Sequence, residues 1–221
     1  MSATRTEQSP KRAIGFIGGT FDPVHIGHLR TAVELRQLLD LDEIRLVPAA
    51  RPPHREQPLV SAAHRVAMLR AAVYREPGLC VDDRELHRGG LSYTIDTLRE
   101  LRAELGGQTR LCLCVGMDSL VGLSAWRQWR ELTDYAHLVV AARPGWSAPE
   151  HGPVAAWLTE RLIRDSGRLS GVAGCVLVAE MTLLPVSATT IRANLAAGHS
   201  VRYLVPDPVL DYIHQQDLYL Q

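Results

Sequence analysis

His25 and His28 lie three residues apart in the run GGTFDPVHIGH, Gly18–His28. On a helix that spacing puts two side chains on one face, so both imidazoles can meet the same anionic group. Gly18 and Gly19 let the chain turn sharply and bring its backbone close to a ligand. The N–H groups at the start of the following helix have no partner within it and attract phosphate. Gly27, between the histidines, is expected to keep the approach of that phosphate open. The run has neither the GK[ST] of a Walker A loop nor the GxGxxG of a dinucleotide site. A second set of such residues stands in VSATTIR, Val186–Arg192. Ser187 fits a helix N-cap, with Thr189 and Thr190 in the first turn. A helix start, hydroxyls and the guanidinium of Arg192 together make a second phosphate cradle.

Other chemistries find little support. Cys80, Cys112, Cys114 and Cys175 form no CxxC pair, and zinc-finger spacing is missing. They read as small buried hydrophobes in a reducing cytoplasm. His64, His87, His137, His151, His199 and His214 have no partner spacing and are not expected to be ligands. No constellation suits a serine or cysteine triad. The chain has 221 residues, with 24 Lys+Arg against 24 Asp+Glu. A formal charge of zero gives no basic face for duplex nucleic acid. No window approaches the roughly 20 apolar residues of a membrane span, and the segment MSATRTEQSPKR has no signal-peptide core. A soluble cytoplasmic protein is expected, with no membrane or nucleic-acid partner and with homo-oligomerisation left open.

The elements that must position these residues alternate in type. Strands are predicted at Ala13–Gly18, Ile44–Pro48, Leu79–Asp82, Leu111–Gly116, His137–Ala142 and Val176–Glu180. Helices are predicted at His28–Leu39, from Ser61 to about Tyr74, Ser92–Leu105, Pro153–Arg164, Ser187–Ala197 and Pro208–Gln215. One helix or two short ones should run through Trp126, Trp129 and Leu132. This order implies an α/β fold: a single Rossmann-like, doubly wound domain over 13–221, its mostly parallel sheet covered by helices on both faces. Residues 1–12 are expected to form a flexible tail. Ligands of such sheets bind beyond the carboxyl ends of the strands. That places the site in loops 18–28, 48–58, 116–119, 143–147 and 181–192, where the chemically informative residues fall.

The HxGH run resembles the nucleotidyltransferase superfamily, and VSATTIR resembles its second signature, ISxTxIR. ARPPHR (Ala50–Arg55), LSYTIDTL (Leu91–Leu98), GMDSL (Gly116–Leu120), Trp126 with Trp129, and ARPG (Ala142–Gly145) narrow the resemblance to the bacterial nicotinate-mononucleotide adenylyltransferase family. It extends from about Ala13 to Tyr219. The resemblance implies transfer of the adenylyl group of ATP to nicotinate mononucleotide, giving deamido-NAD and pyrophosphate. Gly18, Gly19 and Thr20 would approach the nucleotide phosphates through their backbone, while His25, His28, Ser187, Thr189 and Arg192 bind the phosphates. Gly116 and Asp118 would lie near the ribose and adenine. His54 would reach toward phosphate from the PPH loop. Tyr93, Thr94 and Trp126 would line the nicotinate pocket, with Arg143 biasing it toward the carboxylate. Trp129 is expected in the core. Mg²⁺ would arrive on the ATP phosphates rather than in a protein cage. Val186 and Ala188 occupy variable slots of the second signature, Met117 takes a place often polar in the family, and the stretch 166–174 lies outside the matched part. Adenylyltransferases for pantetheine phosphate or nicotinamide mononucleotide, and a non-catalytic nucleotide-binding module, are the rivals.

Overall fold

The computed structural model describes residues 12–51, 57–143, 145 and 148–220. Its first half runs β1 (Arg12–Gly19), α1 (Ile26–Leu38), β2 (Glu43–Pro48), α2 (Ala62–Val73), β3 (Leu79–Val81), α3 (Arg84–Arg88), α4 (Thr94–Leu105) and β4 (Thr109–Gly116). The second half runs α5 (Met117–Val121), α6 (Leu132–Tyr135), β5 (His137–Ala142), α7 (Gly152–Arg161), β6 (Leu162–Ile163), β7 (Val176–Glu180), α8 (Ala188–Ala196) and α9 (Asp207–Gln215). Short 3-10 turns at Leu123–Ala125 and Trp129–Glu131 join α5 to α6.

The strands form one sheet in the order β3-β2-β1-β4-β5-β7-β6, and every neighbouring pair is parallel. Parallel neighbours need crossovers, which is why helices separate most of the strands. Alternate residues of each strand feed different apolar layers. Ile14, Phe16, Leu111, Leu113, Leu138 and Val140 enter one layer with Leu98, Leu120 and Trp157. Cys112, Cys114, Val139 and Ala141 enter the other with Leu35, Leu69, Ile191 and Val209. A strand buried on both faces reads as an unbroken apolar run, as LCLCV and HLVVAA do. The four cysteines are free, and burial pushes the Cys112 thiol up to about 12.

Three details differ from the sequence expectations. The helix expected over Pro153–Arg164 stops at Arg161, and Leu162–Ile163 turn into an edge strand that pairs with Val176–Leu177. Pairing there satisfies the otherwise open edge of β7, which outweighs helix propensity over two residues. α3 is five residues long, too short for periodicity to reveal it. β1 begins at Arg12, inside the segment read as a tail.

The chain leaves β1 toward β2 and β3, then returns to lay β4 on the other side of β1. That reversal opens a crevice at the carboxyl ends of β1 and β4, the expected binding place in a doubly wound sheet.

Candidate active site

β1 ends in Gly18 and Gly19, and the loop that follows leads into α1 through His25. His25 is the N-cap, with extended backbone (φ −143°, ψ 169°), rather than a helical residue. It nevertheless meets His28, as the spacing led one to expect. The two imidazoles stack with centroids 3.7 Å apart and planes 24° from parallel. The His25 main-chain N–H donates to His28 Nδ1 at 3.3 Å. A neutral His28 therefore carries its proton on Nε2. Phe21 presents its ring to His28 edge-on at 5.0 Å. His25 is buried, which lowers its pKa from 6.5 to about 4. At neutral pH the site without ligand holds a neutral His25, and among the described residues its buried Nδ1 has no hydrogen-bond partner.

Gly27 has a different reason than expected. A Cβ there would stand 3.0 Å from His25 Nδ1 and 3.1 Å from its Cε1. The glycine makes room for the imidazole of its own loop. Gly19 does the same for Phe21, whose ring would lie 3.0 Å from an added Cβ.

The second cradle docks directly on the first. Ser187 caps α8, accepting the Thr190 N–H at 3.1 Å. Arg192 projects from α8 and donates through Nη1 to the main-chain carbonyl of Asp22 at 2.6 Å, with Nη2 3.5 Å from Thr189 Oγ1. Ser187 and Thr189 are exposed at the helix start, and Arg192 is half-buried. At the end of β4, Gly116 is the N-cap of α5. A Cβ at that position would meet Asp118 Oδ1 at 2.7 Å, so the glycine lets the carboxylate fold back over the strand end. Asp118 itself is exposed, and Met117 is buried in the core.

Beyond β2, the chain is pinned to the start of α4. Ser92 Oγ accepts the N–H groups of Ala50 (2.9 Å) and Arg51 (3.4 Å), and the Ser92 N–H donates to the Arg51 carbonyl at 3.0 Å. Tyr93 is the N-cap of α4 and Thr94 its first residue. Tyr93 and Trp126 are both half-buried against the same apolar layer. The Arg127 guanidinium lies 4.9 Å from the Tyr93 ring centre and 3.6 Å from the Asp96 carboxylate, which brings the 126–127 turn beside Tyr93. Trp129 is buried edge-to-face on Trp157, 5.4 Å between centroids, and belongs to the core as expected. Arg143 is exposed, one residue past β5. His54 lies outside the described residues. Among the described residues no group of three His, Cys, Asp or Glu could hold a metal, and no helix is long and apolar enough to cross a membrane.

The cytidylyltransferase-like family model matches residues 16–194. A probable nicotinate-nucleotide adenylyltransferase of Pseudomonas syringae pv. tomato is 50% identical over 208 residues, covering 94% of each chain. This chain belongs to the nicotinate-nucleotide adenylyltransferase family. A relative of the same name from Cellvibrio japonicus is 48% identical over 206 residues, covering 93% of this chain and 98% of that one. Among solved structures, the Plasmodium falciparum nicotinic acid mononucleotide adenylyltransferase complexed with NaAD superposes with a TM-score of 0.72. It shares 18% identity, and the match covers 94% of this chain and 97% of that one. At that identity the likeness is one of fold.

In this adenylyltransferase-family chain, most of the residues singled out from sequence fall into two groups, with Gly116 and Asp118 at the end of β4 and Arg143 past β5 outside both. Gly18, Gly19, Thr20, His25, His28, Ser187, Thr189 and Arg192 converge on the loop after β1, while Tyr93, Thr94 and Trp126 gather at the start of α4. Sequence reasoning missed Asp22, Arg65, Ser92 and Arg127. Asp22 was visible in GGTFDP, but nothing local shows that its carboxylate is buried. Arg65 sits in the helical run SAAHRVAML, where a charge normally faces solvent. It is instead 1% exposed, its Nη1 donating to the carbonyls of Thr20 and Ala49 at 2.8 Å each.

Proposed function

We propose that this chain transfers the adenylyl group of ATP to the phosphate of nicotinate mononucleotide, releasing pyrophosphate and deamido-NAD. The observation that carries this reading is the direct contact of the two phosphate cradles, Arg192 on the Asp22 carbonyl beside the stacked histidines. Tyr93 and Trp126, both packed against one apolar layer, are the aromatic rings that would meet a pyridine ring.

A phosphate oxygen of nicotinate mononucleotide attacks the α-phosphorus of ATP. The bond from that phosphorus to the oxygen bridging the β-phosphate breaks, and pyrophosphate leaves with the electron pair. The attacking oxygen is already ionised at neutral pH, so no protein nucleophile is formed and no general base is required. The protein's task is to align two polyanions and to stabilise the charge that builds on the leaving group. Arg192 brings a permanent charge in a planar fork suited to phosphate. His25 is neutral before substrate arrives. A polyphosphate beside it favours the imidazolium, so binding can draw a proton onto the ring where negative charge accumulates. His28 offers Nε2–H from the same stack.

The donors at this site are imidazole, hydroxyl, guanidinium and helix N–H, a set suited to phosphate oxygens rather than to a hard cation. Magnesium would be held by the ATP phosphates and would neutralise part of their charge. Ser92 ties Ala50 and Arg51 to the start of α4, next to Tyr93. The test is to mix the chain with Mg-ATP and nicotinate mononucleotide and follow pyrophosphate and deamido-NAD. Their stoichiometric appearance is expected. Pyrophosphate release that ignores the acceptor would contradict the assignment.

A further inference from the structure

Beneath the phosphate loop lies a buried polar junction that the reaction as described does not use. Asp22 is 4% exposed. Its Oδ1 accepts the phenolic O–H of Tyr219 at 2.6 Å, and its Oδ2 accepts the Leu59 N–H at 2.7 Å. Its main-chain carbonyl is the group that receives Arg192. The buried guanidinium of Arg65 faces the Asp22 charge and ties the loop at Thr20 to the end of β2 at Ala49. One residue thus joins the histidine loop, the end of the loop after β2, α8 and the C-terminal turn.

The C-terminal turn is held in an unusual shape. Asp217 and Tyr219 have φ of 47° and 63°, in the left-handed region that bulky side chains avoid. Leu218 and Tyr219 are both buried, and the Leu218 N–H donates to the Ile213 carbonyl at 3.0 Å. Such backbone persists only where its surroundings over-determine it. Here it aims a phenol at the carboxylate of a loop 197 residues earlier.

We propose that Tyr219 is a positioning residue for adenylyl transfer: by holding the Asp22 carboxylate, it fixes where the phosphate loop presents His25 and His28 and where Arg192 stands. This rests on the adenylyltransferase reading above. The Tyr219 hydroxyl acts on the reaction only through Asp22. Without that hydroxyl, Oδ1 becomes a buried anionic oxygen lacking its donor, and it must draw in another partner or shift. Either response moves the loop by a fraction of an ångström. Substrate binding is spread over many contacts and tolerates this, whereas alignment for the reaction depends on few.

Tyr219→Phe removes only the hydroxyl, and Val209→Ala, a fully buried change in α9 within the apolar layer that also holds Tyr219, serves as the stability control because it takes no polar group from Asp22. Y219F is expected to lower kcat by about 10- to 100-fold while KM for both substrates stays within about threefold. V209A, although at least as destabilised in thermal unfolding, should keep kcat within about twofold of the wild type. The imidazole proton resonances of His25 and His28 should move in Y219F and not in V209A. An unchanged kcat in Y219F, an equal loss in V209A, unmoved imidazole signals, or failure of Y219F to fold would each overturn the proposal. If the wild type itself releases no pyrophosphate, the adenylyltransferase reading falls. The imidazole signals then still decide whether Tyr219 holds the pair.

Discussion

Gly27→Ala separates the fold from the site more cleanly than removal of a catalytic side chain. The change adds one methyl in the first turn of α1. On helix propensity alone it favours the folded state by about 0.8–1.0 kcal/mol. The new Cβ would stand 3.0 Å from His25 Nδ1 and 3.1 Å from Cε1, with the Leu184 carbonyl 3.6 Å away on another side. Optimal carbon contacts begin near 3.5 Å, so the imidazole must yield by about 0.5 Å. Crowding of this kind costs about 1 kcal/mol or somewhat more. The two effects nearly cancel, and stability should change by less than about 1 kcal/mol. A displacement of about 1 Å at reacting groups can cost about 100-fold, so half of that should lower kcat about tenfold. His25→Ala, by comparison, should cost about 100- to 1000-fold. Pyrophosphate release under saturating Mg-ATP and nicotinate mononucleotide measures the rate, and thermal unfolding measures the stability. On the His25→Ala background the added methyl should be silent, because the ring it strikes is gone. Full activity of G27A, or the same tenfold loss without the imidazole, would refute the idea that this glycine exists to seat His25.

Arg192→Ala should lower kcat by about 100- to 1000-fold, and Arg192→Lys should recover only part, because a point charge cannot both hold the Asp22 carbonyl and fork onto phosphate; full activity of the lysine variant in steady-state assays would contradict this. Nicotinate mononucleotide should be preferred over the nicotinamide form by at least roughly 100-fold in kcat/KM, since an amide leaves a donor of the pocket unpaired; parallel assays with both acceptors check it, and equal efficiency would remove the acid-specific reading while leaving adenylyl transfer intact. Stability should fall as pH is lowered from about 6.5 to about 4, because burial holds both His25 and the core histidine His137 at about 4. In that window the unfolded chain binds protons that the folded chain refuses, so acid favours unfolding, with a ceiling of about 3 kcal/mol per histidine. Unfolding midpoints measured at constant ionic strength should show the decline, its histidine part levelling off below about pH 4, and a flat profile from 6.5 to 4.5 would contradict it.

The parts of this protein that were legible in the sequence are those set by local pattern. The unbroken apolar runs of β4 and β5 announced a sheet buried on both faces, and Ser61 and Ser187 cap α2 and α8 where their types suggested. The histidine pair could be read from spacing because its members are only three positions apart. What stayed hidden depends on contacts far apart along the chain. Arg65 looks like a solvated helix charge until the carbonyls of Thr20 and Ala49 are brought above it. Asp22 looks like a turn residue until Tyr219 arrives. The two-residue strand β6 exists because β7 has an open edge, a fact written nowhere in Leu162 or Ile163. Gly27 stands out between the two histidines in the sequence, but its reason lies in the direction of the His25 ring.

The Arg192–Asp22 contact spans 170 positions of the chain, and the Tyr219–Asp22 contact spans 197. The two candidate cradles therefore exist together only after Arg192 has been made, 170 residues after Asp22. At usual rates of synthesis the histidine loop waits roughly 10–30 s for its arginine. During that interval the emerging chain has one cradle without the other. A chain that stops before Tyr219 would lose the phenol that anchors Asp22 while keeping His25, His28 and Arg192. The order of the segments along the polypeptide thus makes the second cradle, and the phenol beneath the first, late arrivals during synthesis.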